Sequence, residues 1–243
     1  MIWSRMKQVV QQKNKFKIID FDQVVRGCGM VDLEKKKRHG PLFPNHMRCI
    51  ICGPSGCGKT NLLFNMLFDR KGIRFSNIYV WSKTTFQPKY KLLRTIMQGL
   101  GDGMDYIECD TSEEIPAPNE LPANSIIIFD DVISEQQDTI RQYFSAGRHS
   151  NVDVFYLAQT YSRIPKQLIR DNANFIIVFE QDELNMKHLY RDHVGADMTF
   201  DQFKVMCNQV WSSAVHAFLV IDRSSPRNRG RYRNGLDTYL VEV

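Results

Sequence analysis

The residues from Gly53 to Thr60 read Gly-Pro-Ser-Gly-Cys-Gly-Lys-Thr, the residue types and spacing of a loop that holds phosphate. Gly53, Gly56 and Gly58 let the backbone turn its N–H groups inward, with a helix N-terminus behind them that favours negative charge. Lys59 is the cation for β and γ oxygens, and the Thr60 hydroxyl suits a magnesium ion. Pro54, Ser55, Cys57 and the following Asn61 complete the stretch expected to contact a nucleotide.

Two further groups belong with this loop. Asp130 and Asp131 end the apolar run Ile126-Ile127-Ile128-Phe129, at the C-terminal end of a strand, where open α/β sheets bind ligands. Asp130 is the second metal-shell residue, and Asp131 is placed to accept a proton from an attacking water. Gln159 ends the run Val152 to Ala158, and an amide at that tip can orient the water or sense a γ-phosphate. Arg148, Arg163 and Arg170 surround the same run. Any of them can act as an arginine finger toward a neighbouring subunit; Arg148 is favoured because it should sit near the rim of the sheet.

The elements that must position these groups alternate. Strands are expected at 47–52, 77–82, near Tyr106, and at 125–129, 152–158 and 175–179; helices are expected at 59–68, 89–98, 134–145, 182–193 and 199–208. Strand followed by helix, repeated, implies a mostly parallel sheet covered by helices. Two closing strands, 215–221 and 238–241, flank a very basic segment holding Arg223, Arg227, Arg229, Arg231 and Arg233. Such a loop can track phosphates without reading bases. Residues 1–45 read as an extension and 46–243 as the domain, its basic hairpin at about 215–243.

Composition agrees with one α/β domain: 43% hydrophobic residues over 243 positions support a sizeable core, leaving little room for a second catalytic domain. The +5 net charge permits a polyanionic partner without requiring one. No apolar run is long enough for a membrane span and the first residues lack a signal-peptide core, so an intracellular location is expected. Cys49 and Cys52 form a C-x-x-C, but odd spacing on a strand sends them to opposite faces, as core thiols rather than metal ligands. The chain lacks an Asn-Lys-x-Asp guanine motif, a Leu-Ser-Gly-Gly-Gln transporter signature and room for a second helicase core.

These residues resemble the genome-packaging ATPases of the FtsK–HerA superfamily, in the branch found in poxviruses, other large DNA viruses, virophages and Polinton-type elements. The resemblance covers about residues 49–179. It rests on the phosphate loop, on Ile-Ile-Ile-Phe-Asp-Asp and most specifically on Gly147-Arg148-His149 through Leu157-Ala158-Gln159-Thr160-Tyr161 to Ile164-Pro165-Lys166. It implies an ASCE-type, RecA-like P-loop core that uses ATP and Mg²⁺, assembles as a homo-oligomeric ring and pumps double-stranded DNA into a preformed capsid at a vertex or portal component, possible association with the virion included. Asp131 stands where many members carry Glu. The rival readings are a DNA pump of the same superfamily outside packaging, a P-loop nucleotide kinase and an idle nucleotide-binding scaffold.

Overall fold

Long apolar runs decide the architecture. In the computed structural model, which describes residues 37–99, 105–109, 115–135 and 137–240, the runs become strands buried on both faces, except for the partly exposed edge strand Tyr106–Cys109. They are β1 (Arg48–Cys52), β2 (Asn77–Ser82), β3 (Tyr106–Cys109), β4 (Ser125–Asp130), β5 (Val152–Ala158) and β6 (Phe175–Phe179). All pair in parallel. Three antiparallel strands follow, β7 (Phe218–Asp222), β8 (Tyr232–Asn234) and β9 (Thr238–Leu240), giving the order β3-β2-β4-β5-β1-β6-β7-β8-β9. The expected C-terminal pair is therefore a three-stranded addition, because part of the basic segment is itself a strand.

Among the described residues five α-helices cover the sheet: α1 (Lys59–Phe68), α2 (Pro88–Gly99), α3 (Asp138–Ala146), α4 (Glu183–Leu189) and α5 (Phe200–Trp211). Side-chain alternation along the strands splits the core into two layers. Cys49, Ile51, Ile126, Ile128, Phe155 and Leu157 pack under α1 and α2, against Leu63, Met66 and Leu67 of α1 and Tyr90, Leu93 and Met97 of α2. Ile50, Cys52, Ile127, Phe129 and Tyr156 pack on the other face, under α3, α4 and α5. Each such apolar side chain, fully buried, contributes roughly 1.5–3 kcal/mol. Cys49 and Cys52 lie in opposite layers as expected, and burial raises both thiols, Cys52 to about 12.

The helix expected from residue 134 begins at Asp138 instead. The Gln137 amide donates to the Val132 and Glu135 carbonyls, holding the preceding residues in a turn. α5 starts on a capping box, with Thr199 and Gln202 bonding each other's backbone N–H groups. The described residues fall in the compact unit Lys37–Val243, and most of the expected extension, Met1–Lys36, lies outside them. Among the described residues no helix is long and apolar enough to cross a membrane.

Candidate nucleotide site

Strand register brings the expected groups to one level. Cys52 of β1 is opposite Ala158 of β5, Asp130 of β4 is opposite Leu157, and Ser82 of β2 is opposite Asp130. Because β5 stands between β1 and β4, Gln159 at its tip lies between the phosphate loop and the carboxylates. The loop is tied to that tip by the Gly53 N–H, which donates to the Ala158 carbonyl at 3.0 Å.

Two glycines are dictated by geometry. Gly58 has φ +111°, a left-handed conformation that other residues rarely adopt, and a Cβ on Gly53 would stand 2.6 Å from both Cys57 Sγ and Phe179 Cβ. Gly58 also caps α1 without a side-chain acceptor, and the first turn of α1 holds no acidic residue. The N–H groups at the head of α1 thus remain available for an anion.

These parts enclose a cavity of 160 Å³. Ser55, Gly56, Gly58, Lys59 and Thr60 form one wall, Asp130 and Asp131 another, and Leu157, Ala158 and exposed Gln159 the floor. Lys59 Nζ donates to the carbonyls of Gly53 at 2.6 Å and Pro54 at 2.9 Å. Asp131 has φ +57°, which aspartate tolerates better than most residues, and its side chain is exposed.

A third wall, which sequence reasoning did not single out, comes from Thr84 and Gln87 in the turn between β2 and α2 and from Lys89 in the first turn of α2. Just behind it, fully buried Tyr90 donates its hydroxyl to Asp130 Oδ2 at 2.5 Å. Burial raises the Asp130 carboxyl above its ordinary value and Asp131 pushes in the same direction, while the Tyr90 bond, Lys59 and Lys89 pull it back. A strand-end turn rich in Ser and Thr was the available signal, but only the pairing of β2 with β4 makes it part of the site.

Several expected residues lie elsewhere. Pro54 and Cys57 line a second cavity of 180 Å³ on the other side of the loop, with Phe179, Glu180, Trp211, His216 and Ala217. Asn61 is exposed beside the phosphate cavity rather than lining it. Arg170 is buried, 2.9 Å from Asp192 and stacked over the Tyr161 ring, so it is a structural cation and not a finger. Arg148, in the turn Gly147–Ser150 before β5, sits at the end of the sheet away from the cavity, whereas Arg163, in the turn Tyr161–Arg163, follows Gln159 and is exposed.

The basic segment is corrected as well. Arg233 is 2% exposed and committed to Asp222 at 2.5 Å, to the Gly230 and Leu42 carbonyls and to the Phe175 and Tyr239 rings. Arg227 pairs with Asp197 at 2.6 Å, and half-buried Arg231 lies 3.8 Å from the same carboxylate. Arg229 is exposed and has no side-chain partner among the described residues, and Arg223 donates to the Asp171 and Ala173 carbonyls. These residues do not form an open track of five charges.

Residues 109–223 match the family model described as Poxvirus A32 protein. That stretch includes β4, β5 and Gln159 but not the phosphate loop. No curated protein sequence matches the chain. In structure it is similar to the genome packaging NTPase B204 from Sulfolobus turreted icosahedral virus 2 in complex with AMP, with TM-score 0.56 and 12% identity over 82% of this chain and 100% of that one. The sulfate complex of B204 gives TM-score 0.54 and 14% identity at the same coverage. The AMPPCP complex gives 0.51 and 12% over 75% of this chain and 95% of that one. Such identities speak to fold. Over residues 109–223 the chain is thus similar to the poxvirus A32 protein, and its fold is similar to that of the B204 packaging NTPase, with the cavity at the ends of β1, β4 and β5.

Proposed function

We propose that this protein is a P-loop ATPase of the FtsK–HerA type that drives double-stranded DNA into a preformed viral capsid. The observation that carries the reading is the single cavity in which the phosphate loop, the Asp130-Asp131 pair and Gln159 meet on adjacent strands. A binding scaffold needs the loop alone; a hydrolase also needs a base and a water-orienting group. The B204 protein, whose fold this chain shares, is described as a genome packaging NTPase.

Lys59 and the N–H groups at the head of α1 bind the phosphates. Thr60 and Asp130 supply hard oxygen donors suited to Mg²⁺, and the Tyr90 hydroxyl fixes the Asp130 carboxylate so that its remaining oxygen can serve. Bound there, the ion supplies charge neutralisation on the phosphates. Asp131, exposed to the cavity, takes the proton of the attacking water, and Gln159 orients that water. The 180 Å³ cavity beside the loop, with Phe179 and Trp211, is the slot for the base. A homo-oligomeric ring would place exposed Arg163 toward a neighbour's nucleotide, and the assembly would act at a capsid vertex or portal component.

The test is the fate of the γ-phosphate. With ATP and Mg²⁺ the protein should release inorganic phosphate and transfer none to a nucleoside monophosphate. Phosphoryl transfer without release would establish a nucleotide kinase and overturn the proposal.

A further inference from the structure

Two of the arginines discussed above, Arg148 and Arg223, meet a third that no motif marked. Arg48 opens β1, Arg148 lies in the turn that enters β5, and Arg223 follows the end of antiparallel β7. Since β5, β1, β6 and β7 are consecutive in the sheet, these residues cross four neighbouring strands at the end opposite the phosphate loop. The segment that enters β6 is gripped from both sides. Arg48 Nε donates to the Asn172 carbonyl at 2.6 Å, and Arg223 Nη1 donates to the Asp171 and Ala173 carbonyls at 3.2 and 3.1 Å.

No carboxylate among the described residues pairs with any of the three. Asp153, at the same end, is already consumed by Arg38 at 3.2 Å and His39 at 2.9 Å. Burial, and then the charges of Arg148 and Arg223, lower the Arg48 guanidinium from its ordinary value. A like-charge group in which neutral carbonyls hold Arg48 and Arg223, with most of its donors unused, is arranged for an external anion. Adjacent strands are about 4.7–4.9 Å apart, so the row spans about 14 Å. One strand of duplex DNA carries a charge about every 3.4 Å along the axis, which gives the row several phosphates to meet.

We propose that Arg48, Arg148 and Arg223 form a contact site for the sugar–phosphate backbone of double-stranded DNA. The site rests on the packaging reading, and it keeps Arg223 of the basic segment, Arg223 to Arg233, to which sequence alone assigns this role, while Arg227 and Arg233 of that segment are paired with Asp197 and Asp222. Contacts of this type position a duplex without reading its bases, so the site should accept any sequence.

Anisotropy of a labelled duplex, titrated over a range of salt concentrations, tests it. The Arg48→Ser, Arg148→Ser, Arg223→Ser triple variant should weaken binding for all sequences alike. It should also flatten the dependence of log affinity on log salt by about 0.9 for each phosphate that is no longer neutralised. Arg48 and Arg223 also hold the chain that enters β6, so Arg148→Ser alone is the second variant. Among the described residues its only side-chain bond is to His149 at 3.4 Å, and the variant should keep the wild-type melting temperature while its salt slope falls by about 0.9, the share of a single phosphate. A folded Arg148→Ser protein with the wild-type salt slope overturns the site, and a fall in ATP hydrolysis with that slope intact would make Arg148 a finger instead. Wild-type protein that binds no duplex would overturn the packaging reading and this site together.

Discussion

Tyr90→Phe removes one hydroxyl and nothing else. The side chain is fully buried, so the ring remains packed and no cavity opens, while Asp130 Oδ2 loses a donor at 2.5 Å. A hydrogen bond to a charged group contributes about 1.5–3 kcal/mol. In a domain of this size 1 kcal/mol corresponds to roughly 2–4 °C, so the melting temperature should fall by about 3–12 °C. The loss should depend on pH with a definite sign. The Asp130 carboxyl is already raised by burial, and the Tyr90 bond is what pulls it back most. Without that bond it rises further. A raised carboxyl means that the folded state holds its proton to higher pH, so stability falls as pH climbs from the ordinary carboxylate range through the folded value. The variant's melting deficit should therefore be larger near neutral pH than in mild acid, and the acid limb of its kcat/KM profile should move to higher pH because the metal-holding form is the ionised one. Melting curves at several pH values and a pH–rate profile measure both. An equal deficit at all pH values together with an unmoved acid limb would refute the positioning role of Tyr90.

Lys59→Ala should abolish hydrolysis and weaken nucleotide binding, since no other residue of the loop brings positive charge to the phosphates; steady-state turnover and nucleotide titration read it. Asp131→Asn should keep nucleotide binding and lower the hydrolysis rate by about 10²–10⁴-fold, because an amide fills the place without taking the proton, and asparagine tolerates the same left-handed backbone. Loss of binding in that variant would make Asp131 a metal ligand. Arg233→Met should destabilise the domain by about 3–5 kcal/mol by leaving Asp222 buried and unpaired, with no change in the salt slope of DNA binding; thermal melting and the anisotropy titration separate the two effects.

The chemistry and most of the sheet are legible in the sequence for local reasons. β2, β5 and β6 are mainly apolar runs, broken within β5 by Asp153, and polar residues bound them, so their limits follow from composition. The helix after Gly58 begins where the lysine and threonine of the loop require it. What stays hidden depends on partners distant in the chain. Tyr232-Arg233-Asn234 looks like loop because its strand state rests on a buried pair between Arg233 and Asp222 and on pairing with β7. The Thr84–Lys89 wall enters the site only because β2 lies beside β4. The grouping of Arg48, Arg148 and Arg223 likewise follows from strand order, which no local pattern announces.

The most direct measurement of the central claim is the steady-state ATPase rate at fixed Mg²⁺ and ATP, with and without long double-stranded DNA. A motor should hydrolyse faster when the duplex is present, and Lys59→Ala should be inactive in both conditions. A wild-type rate that long duplex DNA leaves unchanged would contradict the account.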